Sequence, residues 1–289
     1  MAIIPSTQKF HTVAENIPTK NRGSELANSG REAFTMQDII DTVPVPPSSP
    51  SLFEEGTGGA ASTQRVGSGT ASGDTSTISG GNANSASGRY STISGGQFNT
   101  ASGLHSVVGG GYANLATADL ATVAGGSYNT ANIQSATVGG GNGNAARGFF
   151  ATVGGGRFQN ANGETSTIAG GNSNSAPANT STVGGGAYNI ASGNKSTVSG
   201  GLNNTVSGYR SFIGGGYYNV ASSENSVIVG GSYNNTSTFA STIIAGSGIT
   251  ADQGGCTFVS KLSIKSIPTS AAGLPSGSVW SNGGVLNIV

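Results

Sequence analysis

Four acids stand in one phase of this sequence, Asp74, Asp119, Glu164 and Glu224, with forty-five residues from the first to the second and again from the second to the third. Paired carboxylates drive acid–base and glycoside-cleaving chemistry at separations of roughly 5–9.5 Å. If fifteen residues make one turn of a solenoid, the first three acids lie ~14 Å apart along its axis. That is too far for paired chemistry within one chain, and only a neighbouring chain could shorten it. The other reactive groups are sparse. Histidine occurs as His11 and His105, far apart, and Cys256 is the single cysteine. No Cys-X-X-Cys, His-Glu-X-X-His or phosphate-loop pattern occurs. The glycine repeats lack the aspartates of calcium-binding solenoids. The expectation is a non-enzyme with no cofactor and no metal, in which Cys256 is a small buried hydrophobe or an interchain bridge.

Aromatic spacing is more informative. Phe98, Tyr128, Phe158, Tyr188 and Tyr218 recur every thirty residues, and Ala113, Gly143, Ser173 and Asn203 fill the same column between them. A large ring alternating with a small neighbour reads as packing, each ring over the gap in the next coil or against another chain. Tyr90, Phe149, Phe150 and Tyr209 fall in a corner after Ser-Gly or its variants, where side chains project. Rings among Ser, Gly and Asn suit contact with glycans or proteins. With Trp280 they are the candidate receptor contacts; exposed packing is the alternative for the corner rings, and a capping core residue of the trimer is the alternative for Trp280.

These side chains are positioned by a repeat. Ile78, Ile93, Val108, Val123, Val138, Val153, Ile168, Val183, Val198, Ile213, Ile228 and Ile243 follow one another at intervals of fifteen. Glycine stands three residues after each of them. Asparagine stands six after in most copies, beginning Asn84, Asn99, Asn114 and Asn129, with Gln159 breaking the series. Period fifteen is too short for helical-pair or propeller repeats and suits one turn of a β-solenoid. "STI" and "QFNTA" are β-rich runs closed by Gly-Gly and Ser-Gly, so two short strands per coil are expected. Alternation sends Ser91, Ile93, Asn99 and Ala101 inward, and Thr92, Phe98 and Thr100 outward. Coils spaced ~4.8 Å let the asparagines stack as an amide ladder in a rod roughly 55 Å long. One large aliphatic per coil is a thin core, so several chains are expected to wind side by side.

The stretch "STVGGGAYNIASGNK", Ser181 to Lys195, resembles the head repeats of YadA-type trimeric autotransporter adhesins across about Gly69 to Gly246. The resemblance implies a left-handed parallel β-roll assembled as a homotrimer. Those adhesins carry a secretion signal, a coiled-coil stalk and a membrane-barrel anchor. The sequence here reads without an export signal, stalk or anchor.

The ends differ from the array. Half of the acidic and basic residues lie in the first 65 positions. "TMQDIIDTV" places Met36, Ile39, Ile40 and Val43 on one helical face, with Thr35 as N-cap, and the proline-rich run after Val43 reads as an extended linker. Local packing is the ordinary role of so short a helix; this face is also the candidate docking surface for a virion tail or capsid protein, or an aid to trimerisation. "CTFVSKLSIKSI" alternates as a strand, and "WSNGGVLNIV" puts Asn282-Gly283 as a hairpin turn in a small β-rich tip. Both ends resemble those of bacteriophage tail or head fibres, through "KFHTVAENIPTKNRGSELANSGREAFTMQDIIDTV" and "GLPSGSVWSNGGVLNIV". The expected organisation is an adaptor over 1–50, a transition over 51–68, a parallel β-solenoid over 69–248 and a cap or tip over 249–289, all-β in class.

Composition excludes several functions. Hydrophobic residues at 35% and charged residues at 8% are too few for an ordinary compact domain. Zero net charge removes the footprint of a nucleic-acid binder, and no apolar stretch is long enough for membrane insertion. The functional expectation is a virion appendage on the particle surface that meets a host-surface glycan or protein. A bacterial cell-surface adhesin is one alternative. An ice-binding solenoid is another, resting on the file of Thr92, Thr122, Thr137, Thr152, Thr167, Thr182, Thr197 and Thr242. Val107, Phe212 and Val227 interrupt that file, and it is one residue wide.

Overall fold

The computed structural model describes residues 53–55, 63–65, 69–236, 239–261, 267–282 and 285–289. Met36, Ile39, Ile40 and Val43, the residues of the expected docking helix, lie outside the described residues. The described part is all-β, a parallel β-solenoid of about thirteen turns followed by a hairpin.

Two sheets run the length of the solenoid. The first has fifteen strands among the described residues, beginning with Phe53–Glu55 antiparallel to Thr63–Arg65 and continuing in parallel from Thr77–Ile78 to Thr257–Val259. The second has eleven, from Gly69–Ala71 to Val220–Ala221. Thr122 pairs with Thr137 and Val123 with Val138, so each residue lies beside its equivalent fifteen positions on. A third line of single bridges, Asn82 to Gln97, Gln97 to Tyr112 and onward to Ser232, was not expected. It ties the Gly-Gly corners together where the chain is too bent for a full strand. The first ladder runs on past residue 248 and stacks Thr257–Val259 on the last coil.

The interior is narrow because only small side chains fit between the sheets. Ile78, Ile93, Val108 and their successors are fully buried on one side, and Ala86, Ala101, Ala116 and their successors on the other. Ser76, Ser91 and Ser106, with Ala121, Ala136 and Ala151, form a third inward file, and the asparagines form a fourth. Thr92 and Thr100 face outward and are half-buried.

The last coil corrects the sequence reading. Ile243 is 41% exposed, whereas Ile244 is fully buried. Ile244 pairs with Ile228, and Ile243 pairs with the outward Val227. One extra residue enters before this strand. A register shift between Ile228 and Gly230 absorbs it, leaving Val229 on the surface, 57% exposed. Thr242 is carried inward by the same slip and donates its hydroxyl to Ser226 Oγ at 3.1 Å, so it leaves the outer threonine file. Cys256 is half-buried, its thiol 3.6 Å from Gln253 Oε1, in phase with the inward Phe258 on the coil that ends the first sheet.

The C-terminal hairpin pairs Val279–Asn282 with Val285–Ile288. Asn282 is itself paired, opposite Val285, so the connection shifts one residue from the expected Asn-Gly turn. Residues 283 and 284 lie outside the described residues.

Candidate functional site

Two corners of the coil throw side chains outward, and different chemistry builds each. At the Gly-Gly corner, Gly96 has φ +85, and a Cβ there would overlap the carbonyl oxygen of Gly111 in the next coil. Only glycine allows that approach. The buried asparagine that follows holds the corner closed. Asn99 Nδ2 donates to Gly95 O at 3.0 Å and to Gly111 O at 2.9 Å, while Asn99 Oδ1 accepts the N–H of Asn114 at 3.0 Å. The ladder therefore runs through backbone groups, where simple amide stacking was expected. Amide-to-amide bonds occur at four steps, such as Asn234 to Asn219 at 2.9 Å.

Between those glycines and that asparagine stand two outward residues, the second of them left-handed, as at Phe98 with φ 58. The non-glycine backbone is held there because each such N–H bonds the coil before it, Phe98 to Asn82 O at 3.1 Å and Tyr128 to Tyr112 O at 2.9 Å. The result is a ridge of rings. Phe98, Tyr128, Phe158, Tyr188 and Tyr218 are all 43–58% exposed. Phe158 does lie over the small residue of the preceding coil, since a Cβ on Gly143 would stand 2.6 Å from its ring. Tyr112, Tyr217 and Tyr233 complete two clusters that the thirty-residue spacing missed. Tyr112 meets Phe98 and Tyr128 edge-on at 5.7 and 5.3 Å. Tyr217 meets Tyr218 and Tyr233 edge-on at 4.3 and 5.5 Å, and Tyr218 stacks on Tyr233 at 5.6 Å. The signal that could have found Tyr217 was the doubled ring in "GGYYNVA". The Tyr112 hydroxyl raises the phenol pKa of Tyr128, and burial with the hydroxyls of Tyr233 and Tyr218 raises that of Tyr217.

The Ser-Gly corner carries the charge. Of the nine Lys, Arg, Asp and Glu residues from 69 to 236, only Arg157 belongs to the Gly-Gly corner. Asp74, Asp119, Glu164 and Glu224 line this edge at intervals of three or four coils, at least ~14 Å, and do not meet. Asp119 has a structural task, accepting the N–H of Leu104 at 3.0 Å across the coil gap.

The candidate receptor residues divide. Tyr90, Phe149, Phe150 and Tyr209 all lie on the Ser-Gly edge, but sixty residues separate Tyr90 from Phe150 and Phe149 from Tyr209, about 19 Å along the rod. They are separate spots, not one patch. Tyr90 stacks on His105 at 4.8 Å beneath Arg89 at 4.7 Å. Phe149 and Phe150 stand side by side, 50% and 58% exposed. Tyr209 is half-buried beneath two cations, Arg210 at 4.6 Å and Lys195 at 5.8 Å from its ring centre. Trp280 is half-buried in the separate hairpin, opposite Asn287.

Among the described residues, no three His, Cys, Asp or Glu side chains gather where a metal could bind, and no helix is long and apolar enough to cross a membrane. Comparison with protein-family models and with curated proteins finds no match for this chain.

Proposed function

We propose that the chain is a structural virion appendage, a phage tail or head fibre, whose solenoid forms a stiff homotrimeric rod of left-handed, fifteen-residue coils. The observation that carries this reading is the segregation of the two corners. The Gly-Gly corner is rich in exposed rings and poor in charge, the composition of an interface core, whereas the Ser-Gly corner is charged, as a solvent-facing edge is. Three Gly-Gly corners meeting along a common axis cover the ridge from Phe98 to Tyr233 and leave the charged edges outward. The alternation of Tyr128, Gly143, Phe158 and Ser173 supports interlocking, since each ring needs a gap of similar depth beside it.

The long ladder supports the mechanical part of the reading. From Asn82 to about Ser232 consecutive coils are bonded at three lines, so length is gained without added surface variety. The resemblance of both chain ends to phage fibres supports attachment through residues 1–50 to a tail or capsid protein, with the rod and tip presented to the host surface. Sedimentation equilibrium of the full chain tests the assembly, with a mass three times that of the chain expected and a folded monomer at micromolar concentration refuting it. Electron microscopy of particles labelled with an antibody to the rod tests the location. Label confined to the body of cells, with none on particles, overturns it.

A further inference from the structure

The geometry points to Lys195, Tyr209 and Arg210 as a binding site for the oxyanion group of an acidic polysaccharide. This inference rests on the host-surface reading above for the source of its ligand, but not for its chemistry. Lys195 and Arg210 occupy the same column of adjacent coils, both left-handed, with φ 59 and 53. Their N–H groups bond Asn179 O and Asn194 O, each at 3.0 Å, which fixes the two residues in register. Equivalent positions on adjacent coils stand ~4.8 Å apart, and like charges directly opposite one another destabilise a sheet pair.

Among the described residues, neither side chain makes an ion pair or hydrogen bond, and both heads lie over the Tyr209 ring. Other cations on the same edge are engaged or isolated. Arg147 Nη1 donates to Asn160 Oδ1 at 3.0 Å, and Arg89 stands alone over Tyr90. The nearest acid on the following coil, Glu224, accepts from Asn225 Nδ2 at 3.4 Å. Cation–π contact on one shared ring holds both heads in place before a ligand arrives, which lowers the ordering cost of binding.

An oxyanion relieves the repulsion and takes two donors from the Arg210 fork and a third from Lys195. Asn194, exposed and without a side-chain hydrogen bond, adds an amide for a sugar hydroxyl. Two cations are too few for a membrane surface or nucleic acid, which require clusters of about four or more. A sugar acid or sugar sulfate in a polymer fits, because each sugar offers one such group and each chain one such site.

The test uses the full chain on surfaces coated with polygalacturonate, dextran sulfate or neutral dextran. Retention on one or both anionic polymers and not on dextran is expected, and which polymer is held assigns carboxylate or sulfate. Lys195→Gln with Arg210→Gln should weaken retention at least about tenfold with unchanged melting, whereas Arg89→Gln should change it less than about twofold. Absence of retention on both anionic polymers overturns the site. Equal weakening by Arg89→Gln also overturns it, by showing diffuse charge. Adsorption of particles to host cells is measured on the same variants and bears on the host-attachment reading alone, so the two can fail separately.

Discussion

The side-chain oxygen of Asn114 accepts the backbone N–H of Asn129 at 3.0 Å, one coil further along, and this bond recurs along the solenoid. Asn129 in turn donates to Gly125 O at 2.8 Å and Gly141 O at 3.0 Å and accepts from Asn144 N at 3.0 Å. Asn129→Ala strands the Asn144 N–H and the Gly125 carbonyl, whereas Gly141 O keeps the Ser127 N–H at 2.9 Å. At ~1–3 kcal/mol for each unsatisfied group, the variant should lose about 2 kcal/mol or more in denaturant unfolding. The opposite change is available at Gln159. Its Oε1 accepts Asn174 N at 2.9 Å, but its buried Nε2 has no partner. Gln159→Asn restores the missing donations and should raise stability by about 1 kcal/mol in the same measurement.

The inward serines separate into two kinds. Ser91 and Ser106 bury hydroxyls without partners, in the file where Ala121 and Ala136 also sit. Ser91→Ala should leave the melting temperature unchanged or raise it. Ser211 donates to Ser223 O at 2.6 Å and accepts from Ser226 N at 3.0 Å, so Ser211→Ala should cost about 1–2 kcal/mol. Thermal melting of the two variants side by side checks the contrast.

Backbone sterics give a third pair. Gly96→Ala drives a methyl into the Gly111 carbonyl from a left-handed backbone and should destabilise by more than about 1 kcal/mol. Gly95→Ala meets nothing within 4 Å and should be tolerated. Thr180, β-branched at φ 54 with its side chain exposed, is the reverse case. Thr180→Asn relieves left-handed strain and should raise the melting temperature by the equivalent of roughly 1 kcal/mol. Asn225, in the same column three coils on, and Asn203, at the other corner, adopt the same conformation.

The ridge offers a test of assembly. Tyr128→Asn with Tyr218→Asn keeps residues suited to the left-handed positions while removing two rings. The expected outcome is a weaker trimer by sedimentation with a β-sheet circular dichroism spectrum retained. An unchanged association constant would place the chain contacts elsewhere.

The period, the inward files and the outward rings were legible because a strand buries every second residue, and Gly-Gly with Asn marks each corner. Ile243 shows where this stops. It stands fifteen after Ile228, and Gly246 fifteen after Gly231, so no count along the chain betrays the slip between them. Only depth distinguishes Ile243 from Ile244, and the compensating Val229 bulge is a property of paired strands. The ring clusters were partly hidden for a related reason. Tyr217 precedes the aromatic column by one residue, and its contact with Tyr233 spans a coil gap that a single-column reading does not cross. The pairing of Lys195 with Arg210 over Tyr209 likewise depends on which side of the corner a left-handed residue projects.

The Ile244 slip also bears on how such a molecule changes over generations. The ladder takes in an extra residue at Thr242–Ile244 and is back in step by Gly246, where Asn234 Nδ2 meets the carbonyl at 2.7 Å. A copy duplicated or deleted whole disturbs even less, because each coil presents the same bonds above as below. Whole-coil insertions or deletions would therefore change the solenoid's length in steps while the flanking coils keep their bonds. Length is thereby separable from the sequence at either end.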